Sequence, residues 1–221
     1  MTRVIVLRPQ PGAEATVEKA RASGLEAIAI PLFEIEPVAW QAPDPAGFDG
    51  LLLTSANAVR FGGDTLQPLR GLKAYAVGEA TAEAAREAGF DIAATGGAGV
   101  DRLLGSIEPN LKLLHLSGAD RREPDGAKQR ITTVTVYRAK SVENPDLSVA
   151  TDSVTLIHSP RGGRRFAELV GKRDTISIAA ISEAAAEAVG EGWRRVEAAE
   201  EPSDDALLAL AARLCDKPDP K

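Results

Sequence analysis

Two stretches of the chain repeat one grammar at a fixed distance. Phe48 to Phe61 (FDGLLLTSANAVRF) reads as an apolar strand, a polar Thr54-Ser55 turn and the opening of a helix at Ala56. Ser153 to Phe166 (SVTLIHSPRGGRRF) reads the same way, with Ser159 in the place of Ser55. The two serines are 104 residues apart. Gly78 and Ser182, Glu79 and Glu183, and Glu83 and Glu187 keep the same offset. Within each copy the two turns are 23 residues apart. A constant offset across two successive strand–turn–helix units predicts two similar α/β lobes. A strand that runs straight into a helix also leaves unpaired backbone N–H groups at a sheet's carboxyl edge, where open α/β sheets bind ligands.

The remaining elements follow from periodicity and breakers. Short apolar runs predict strands over 3–7, 26–30, 49–53, 73–77, 91–94, 112–116, 153–158, 176–180 and 195–198. Helices are expected over 13–23, 56–66 with an interruption at Gly62-Gly63, 79–88, 100–107, 161–170, 182–189 and 204–214. Ser203 caps the last of these, with Asp204 and Asp205 in its first turn. Residues 117–130 read as loop and 216–221 as a polar tail.

Two segments depart from this rhythm. Leu32 to Trp40 and Ile131 to Tyr137 alternate apolar and polar residues, as half-exposed strands do, and they flank the middle run. The third run lacks two strands of its own and needs 4–7 and 26–30 to complete its sheet. The expected layout is a discontinuous lobe one (1–34 plus 140–221) with lobe two (37–136) inserted. Linker strands at about 32–40 and 131–138 join them as a two-stranded bridge.

Composition narrows the function classes. The net charge of −6 argues against a nucleic-acid surface, so an anionic ligand would need positive potential collected locally. A single cysteine, Cys215, leaves no disulfide framework or cysteine metal cluster. No apolar run reaches the roughly 18 residues of a membrane span, and no signal peptide is read at the N-terminus. The expectation is a cytoplasmic protein with no membrane and no nucleic-acid partner.

Matching motifs then run along almost the whole chain in one order. They are Val6-Leu7-Arg8-Pro9, FDGLLLTSANAVRF (48–61), AYAVGEATAEAAREAGF (74–90), LLHLSG (113–118) and VTVYRA (134–139). TLIHSP (155–160), the segment from Ala180 to Val189 and EPSDDALLALAARL (201–214) complete the set. With the double-linker layout, the chain resembles the uroporphyrinogen-III synthase family of tetrapyrrole biosynthesis. The resemblance implies two flavodoxin-like parallel-sheet lobes joined by a two-stranded β linker. It also implies a linear tetrapyrrole, hydroxymethylbilane, bound between the lobes and cyclised with inversion of ring D and loss of water, without cofactor or metal. A monomer is expected, with a transient contact to the preceding pathway enzyme. The sequence departs from the family at Ala184 and Ala185, where hydroxyl residues usually follow the turn.

The substrate's acetate and propionate arms need hydrogen-bond donors. The expected contacts are the turns Thr54-Ser55-Ala56-Asn57, Gly78, Ser159-Pro160-Arg161 and Ser182-Glu183, together with Thr81 and Ser117. Each serine reads equally as a plain N-cap, Gly78 as turn geometry, and Thr81 as a packing residue. Arg8 and Arg161 follow strand ends and suit carboxylates, with exposed surface arginine as the alternative. Tyr137, which ends a linker strand, is the candidate catalytic residue: a phenol donates a hydrogen bond to a leaving oxygen without being ionised. Its alternative is a half-buried strand tyrosine. His115 and His158 lie in apolar strands and read as core residues, with no carboxylate or cysteine cluster spaced to make them metal ligands. Cys215 and Trp193 read as packing residues. The rival function is a non-catalytic tetrapyrrole- or anion-binding two-lobe module.

Overall fold

A computed structural model describes residues 2–97, 99–121 and 124–216; most of the expected polar tail, 217–221, lies outside the described residues. The strands are β1 (Arg3–Val6), β2 (Ala27–Ala29), β3 (Phe33–Pro37), β4 (Gly50–Leu53), β5 (Ala74–Val77), β6 (Ile92–Gly96), β7 (Lys112–Gly118), β8 (Arg130–Ser141), β9 (Ser153–Ile157), β10 (Ser177–Ala180) and β11 (Arg195–Ala198). The α-helices are α1 (Gly12–Ala22), α2 (Ala56–Arg60), α3 (Glu79–Glu87), α4 (Val100–Ser106), α5 (Pro160–Leu169), α6 (Glu183–Glu187) and α7 (Asp204–Asp216).

The chain divides into two compact units, Met1–Glu34 with Ser141–Lys221, and Ile35–Lys140. The first carries a five-stranded sheet in the order β2-β1-β9-β10-β11, with every pair parallel. This is the flavodoxin-like order. β1 is an interior strand between β2 and β9, with Val4, Ile5 and Val6 wholly buried. Strands covered on both faces need continuous apolar runs, and VIV and VTLI supply them. Helix α1 ends at Gly24 (φ +81°), whose N–H donates to the Arg21 carbonyl. α1 and α7 contribute Val17, Ala20, Leu207 and Ala211 to one buried core with the strands.

The second unit carries six strands in the order β3-β8-β7-β4-β5-β6. The pairs β8/β7, β7/β4, β4/β5 and β5/β6 are parallel. Without β3, this is the order of the first sheet with its two leading strands moved to the end of the run. β4 then corresponds to β9 and β5 to β10, matching the 104-residue offset. The two alternating segments, β3 and β8, are hydrogen-bonded neighbours. β8 goes on to pair with β7, so these strands extend the sheet rather than standing apart from it.

Three local expectations are corrected. The helix expected over 56–66 with an interruption at Gly62-Gly63 ends at Arg60 and does not resume as an α-helix, a 3-10 segment following over Gly63–Leu69. Gly62 can be nothing larger, since a Cβ there would stand 2.8 Å from the Ala58 carbonyl oxygen. Helix α6 is five residues long where 182–189 was expected. β7 runs two residues past Leu116, because its pairing with β8 continues through Ser117 to Gly118.

Phe166 of α5 is wholly buried, and its ring stacks on Trp193 at 5.2 Å. Phe166→Ala should cost about 3–5 kcal/mol. Urea denaturation followed by tryptophan emission checks this, since Trp193 reports the lost stack.

Candidate active site

Each sheet has one switch point, where neighbouring strands send their connections to opposite sides. In the first unit it lies between β1 and β9, and in the second between β7 and β4. The carboxyl ends of these strands are where open α/β sheets bind ligands.

In the second unit, β4 ends at Leu53 and the chain turns through Thr54 and Ser55 into α2. Ser55 is extended (φ −154°, ψ 138°) and its Oγ accepts from the Asn57 N–H at 3.2 Å. Thr54 Oγ1 lies 3.0 Å from Nε2 of His115 on the neighbouring β7, and that histidine is 1% exposed. One strand further along, α3 begins at Gly78, whose φ of +82° favours glycine. Its N–H donates to the Gly96 carbonyl at 2.7 Å, and space is open where a side chain would stand.

Tyr137 lies on β8 opposite Gly118, where the β7/β8 register shifts. Its ring lies over the bare glycine: a Cβ at Gly118 would come within 2.7 Å of the ring carbons and 3.0 Å of the hydroxyl oxygen. Phe61, at the end of α2, flanks the ring with centroids 6.5 Å apart. Two contacts therefore fix the phenol near the carboxyl end of β7, one strand beyond the end of β4. Neither the Phe61 contact nor the glycine seat is legible in the VTVYRA motif, because both come from elsewhere in the chain.

In the first unit, Ser159 caps the ten-residue α5, and its Oγ accepts from Gly162 N–H at 3.1 Å. Pro160 takes the first helical position, where the missing N–H costs nothing. Arg161 lies over the Phe33 ring at 4.4 Å. Ser182 caps α6, accepting from Ala185 N–H at 3.3 Å. All three serines are thus N-caps. That role uses a lone pair on each oxygen and leaves the hydroxyl proton available to an acceptor. Capping and ligand binding are compatible at these positions. Glu183 is exposed in the first turn of α6. α2 and α6 are only five residues long, so individual N–H and O–H groups matter there more than a macrodipole.

Two expected contacts are placed inside the protein. Ser117 is 1% exposed and donates to the Gly118 carbonyl, because β7 continues past it. Thr81 is 5% exposed and packs in the first turn of α3.

Arg8 follows β1 and meets residues that the linear sequence keeps far away. Its Nη1 donates to both oxygens of Asp204, at 2.9 and 3.0 Å. Asp204 begins α7, so 196 residues separate the partners. The Asp204 carboxylate also lies 2.9 Å from Thr16 Oγ1 and 3.6 Å from His158 Nε2. The side chain of His158 is 8% exposed. Burial, with the Arg8 charge beside it, lowers its pKa to about 4 against the opposing pull of Asp204. It is therefore neutral at pH 7. Sequence reading identified Asp204 only as a helix-end charge, and no local signal pairs it with Arg8. Among the described residues, no group of three or more His, Cys, Asp or Glu stands ready for a metal ion, and no helix is long and apolar enough to cross a membrane.

The chain matches the family model described as uroporphyrinogen-III synthase HemD over residues 14–209. It belongs to that family. A uroporphyrinogen-III synthase from Chlorobaculum parvum is 34% identical over 101 residues, a match covering 42% of this chain and 41% of that relative's length. The uroporphyrinogen-III synthetase structure from Helicobacter pylori aligns with a TM-score of 0.69 at 20% identity, covering 97% of this chain and 100% of that one. A mutant uroporphyrinogen III synthase structure from Thermus thermophilus aligns with a TM-score of 0.52 at 18% identity, covering 98% and 100%. At these identities the two structures establish the shared fold.

His158 makes stability depend on pH. The unfolded chain binds the imidazole proton near pH 6.5 and the folded protein only near pH 4. Between those values the unfolded state holds more protons, so stability falls as pH is lowered through the window. The loss should be on the order of 3 kcal/mol. Urea denaturation of wild type and His158→Leu at pH 7 and pH 4.5 checks this, and the variant should show a smaller drop.

Proposed function

We propose that this protein is a uroporphyrinogen-III synthase, a cyclising lyase that converts hydroxymethylbilane to uroporphyrinogen III with inversion of ring D and loss of water. The observation that carries the reading is the extent of the family match, residues 14–209, which takes in the Thr54-Ser55 turn, Gly78, Tyr137, the Ser159 turn and Ser182. The bilane carries acetate and propionate arms. Each unit offers capped helix ends whose first N–H groups and serine hydroxyls donate to carboxylates. Such donors suit a polyanion in a protein of net charge −6, because they concentrate positive potential without a basic surface. Thr54-Ser55-Ala56-Asn57, Gly78, Ser159-Pro160-Arg161, Ser182-Glu183 and Arg8 are the contacts in this reading. Buried Ser117 and Thr81 support the turns from within.

The chemistry asks little of acid–base groups. The bilane closes unaided to the symmetric isomer, so the enzyme's task is to hold it such that the substituted carbon of ring D attacks first. Departure of the hydroxyl leaves an azafulvenium; attack forms a spiro-pyrrolenine, which opens and recloses as isomer III. Tyr137 donates a hydrogen bond to the departing oxygen. Its fixed seat between Phe61 and Gly118 is what supports that role, since a positioned donor needs no reorganisation when charge develops. Because the free bilane closes on its own, the reading includes a cytoplasmic monomer that receives it through a transient contact with the enzyme that makes it.

Freshly made hydroxymethylbilane should give isomer III, scored against isomer I by chromatography. Isomer I alone, from a protein with an intact melting transition, would leave a non-catalytic binding module instead. Tyr137→Phe should lower kcat by about a hundredfold with folding unchanged. An unaltered rate would remove the phenol from the mechanism.

A further inference from the structure

Arg8 is held at the first unit's switch point in an unusual way. All the bonds that anchor its guanidinium to Asp204 and Thr16 run through one nitrogen, Nη1, at 2.9 and 3.0 Å to the carboxylate oxygens and 3.4 Å to the threonine hydroxyl. A structural arginine–carboxylate pair gains most from two parallel bonds along one edge of the fork. Here both carboxylate oxygens share a single nitrogen. Asp204 is itself fixed by Thr16 Oγ1 at 2.9 Å, and that hydroxyl lies 3.0 Å from the Gly12 carbonyl in α1.

The opposite edge of the guanidinium has its own accommodation. Arg8 crosses the first residue of α1, Gly12, where a Cβ would stand 2.7 Å from Nε and 3.1 Å from Nη2. A side chain at this first helical position would meet the Nε–Nη2 side of the guanidinium, so the glycine leaves that side its path. The side chain of Arg8 is 33% exposed, and among the described residues its hydrogen bonds all run through Nη1, none through Nε or Nη2. The neighbouring His158 is neutral at pH 7 and adds no competing charge.

We propose that Asp204, Thr16 and Gly12 are positioning residues for substrate binding: they orient Arg8 so that its Nε–Nη2 edge grips one carboxylate arm of the tetrapyrrole in a two-bond fork. The proposal rests on the reading of the ligand as a tetrapyrrole polycarboxylate. Asp204 supplies orientation, Arg8 supplies the charge-assisted bonds, and Gly12 supplies room. The three positioning residues therefore act only through Arg8.

Two readouts test this: binding of uroporphyrin III, the porphyrin octacarboxylate of the proposed product, by titration calorimetry, and steady-state kcat and KM with the bilane. Arg8→Gln and Asp204→Asn should each weaken binding and raise KM about tenfold, with kcat within about twofold of wild type. The double variant should be no weaker than Arg8→Gln alone, because Asp204 has nothing left to orient. Gly12→Ala should melt no lower than wild type yet weaken binding by a similar factor, since the added methyl displaces only the end of a flexible side chain. That variant decides the matter if Asp204→Asn fails to fold. Multiplying effects in the double variant, or wild-type affinity in Gly12→Ala, would overturn the proposal. So would a wild-type protein that does not bind the octacarboxylate. Coupled binding losses in a protein that makes only isomer I would sink the synthase reading while leaving the Arg8 arrangement standing.

Discussion

The parallel pairing of β1 with β9 is the constraint on which the rest depends. Arg3 to Val6 align with Ser153 to Leu156, about 150 residues on, and this joins the ends of the chain in one sheet. Without it, the third run would be an open three-stranded fragment and the N-terminal βαβ a pair of strands with no cover. The pairing also creates the switch point, since β1 connects toward β2 and β9 toward β10. Apolar surface holds it together: Val4, Ile5, Val6, Val154 and Leu156 are each at most 1% exposed. Full burial of such side chains contributes roughly 1.5–3 kcal/mol apiece before the entropy of ordering the chain is set against it.

The two units solve the same geometric problem with different chemistry. At the β7/β4 switch point the polar contact joins a hydroxyl and an imidazole, Thr54 and His115. At the β1/β9 switch point it is ionic, Arg8 to Asp204, with a neutral imidazole beside it. The 104-residue offset places Thr54 opposite His158, so the repeat keeps backbone and turn while exchanging side chains. The last helix explains part of the difference. α7 brings Asp204 to the first unit's edge, while residues 119–121 and 124–129, the described part of the segment after β7, contain no helix.

Much of this was legible because it is local. Ser55, Ser159 and Ser182 declare themselves as caps through their place between an apolar run and a helix, and all three caps close within three residues. The alternation of 32–40 and 131–137 signals strands of a different kind, and the strands formed there, β3 and β8, are neighbours at one side of the six-stranded sheet. What misled the reading was equally local. LLHLSG looks like a strand ending in a polar turn, yet β8 pairs past Ser117 and buries it. A helix over 56–66 satisfies composition, yet Gly62 packs against Leu66 and the Ala58 carbonyl, and the helix ends at Arg60.

The sequence by itself determined the strand–turn–helix units, their capping residues and the permuted repeat. These depend on backbone propensities and hydrogen bonds that span a few residues. Only the tertiary structure decided which side chains meet. Arg8 reads as a free cation near a strand end until α7 delivers Asp204 from 196 residues away. Tyr137 reads as any strand tyrosine until Phe61 and the bare Gly118 fix its ring. The physical reason is the same in both cases. A turn is specified by its own residues, whereas the charge, burial and orientation of a functional side chain are set by neighbours that the chain brings together only when the sheet closes.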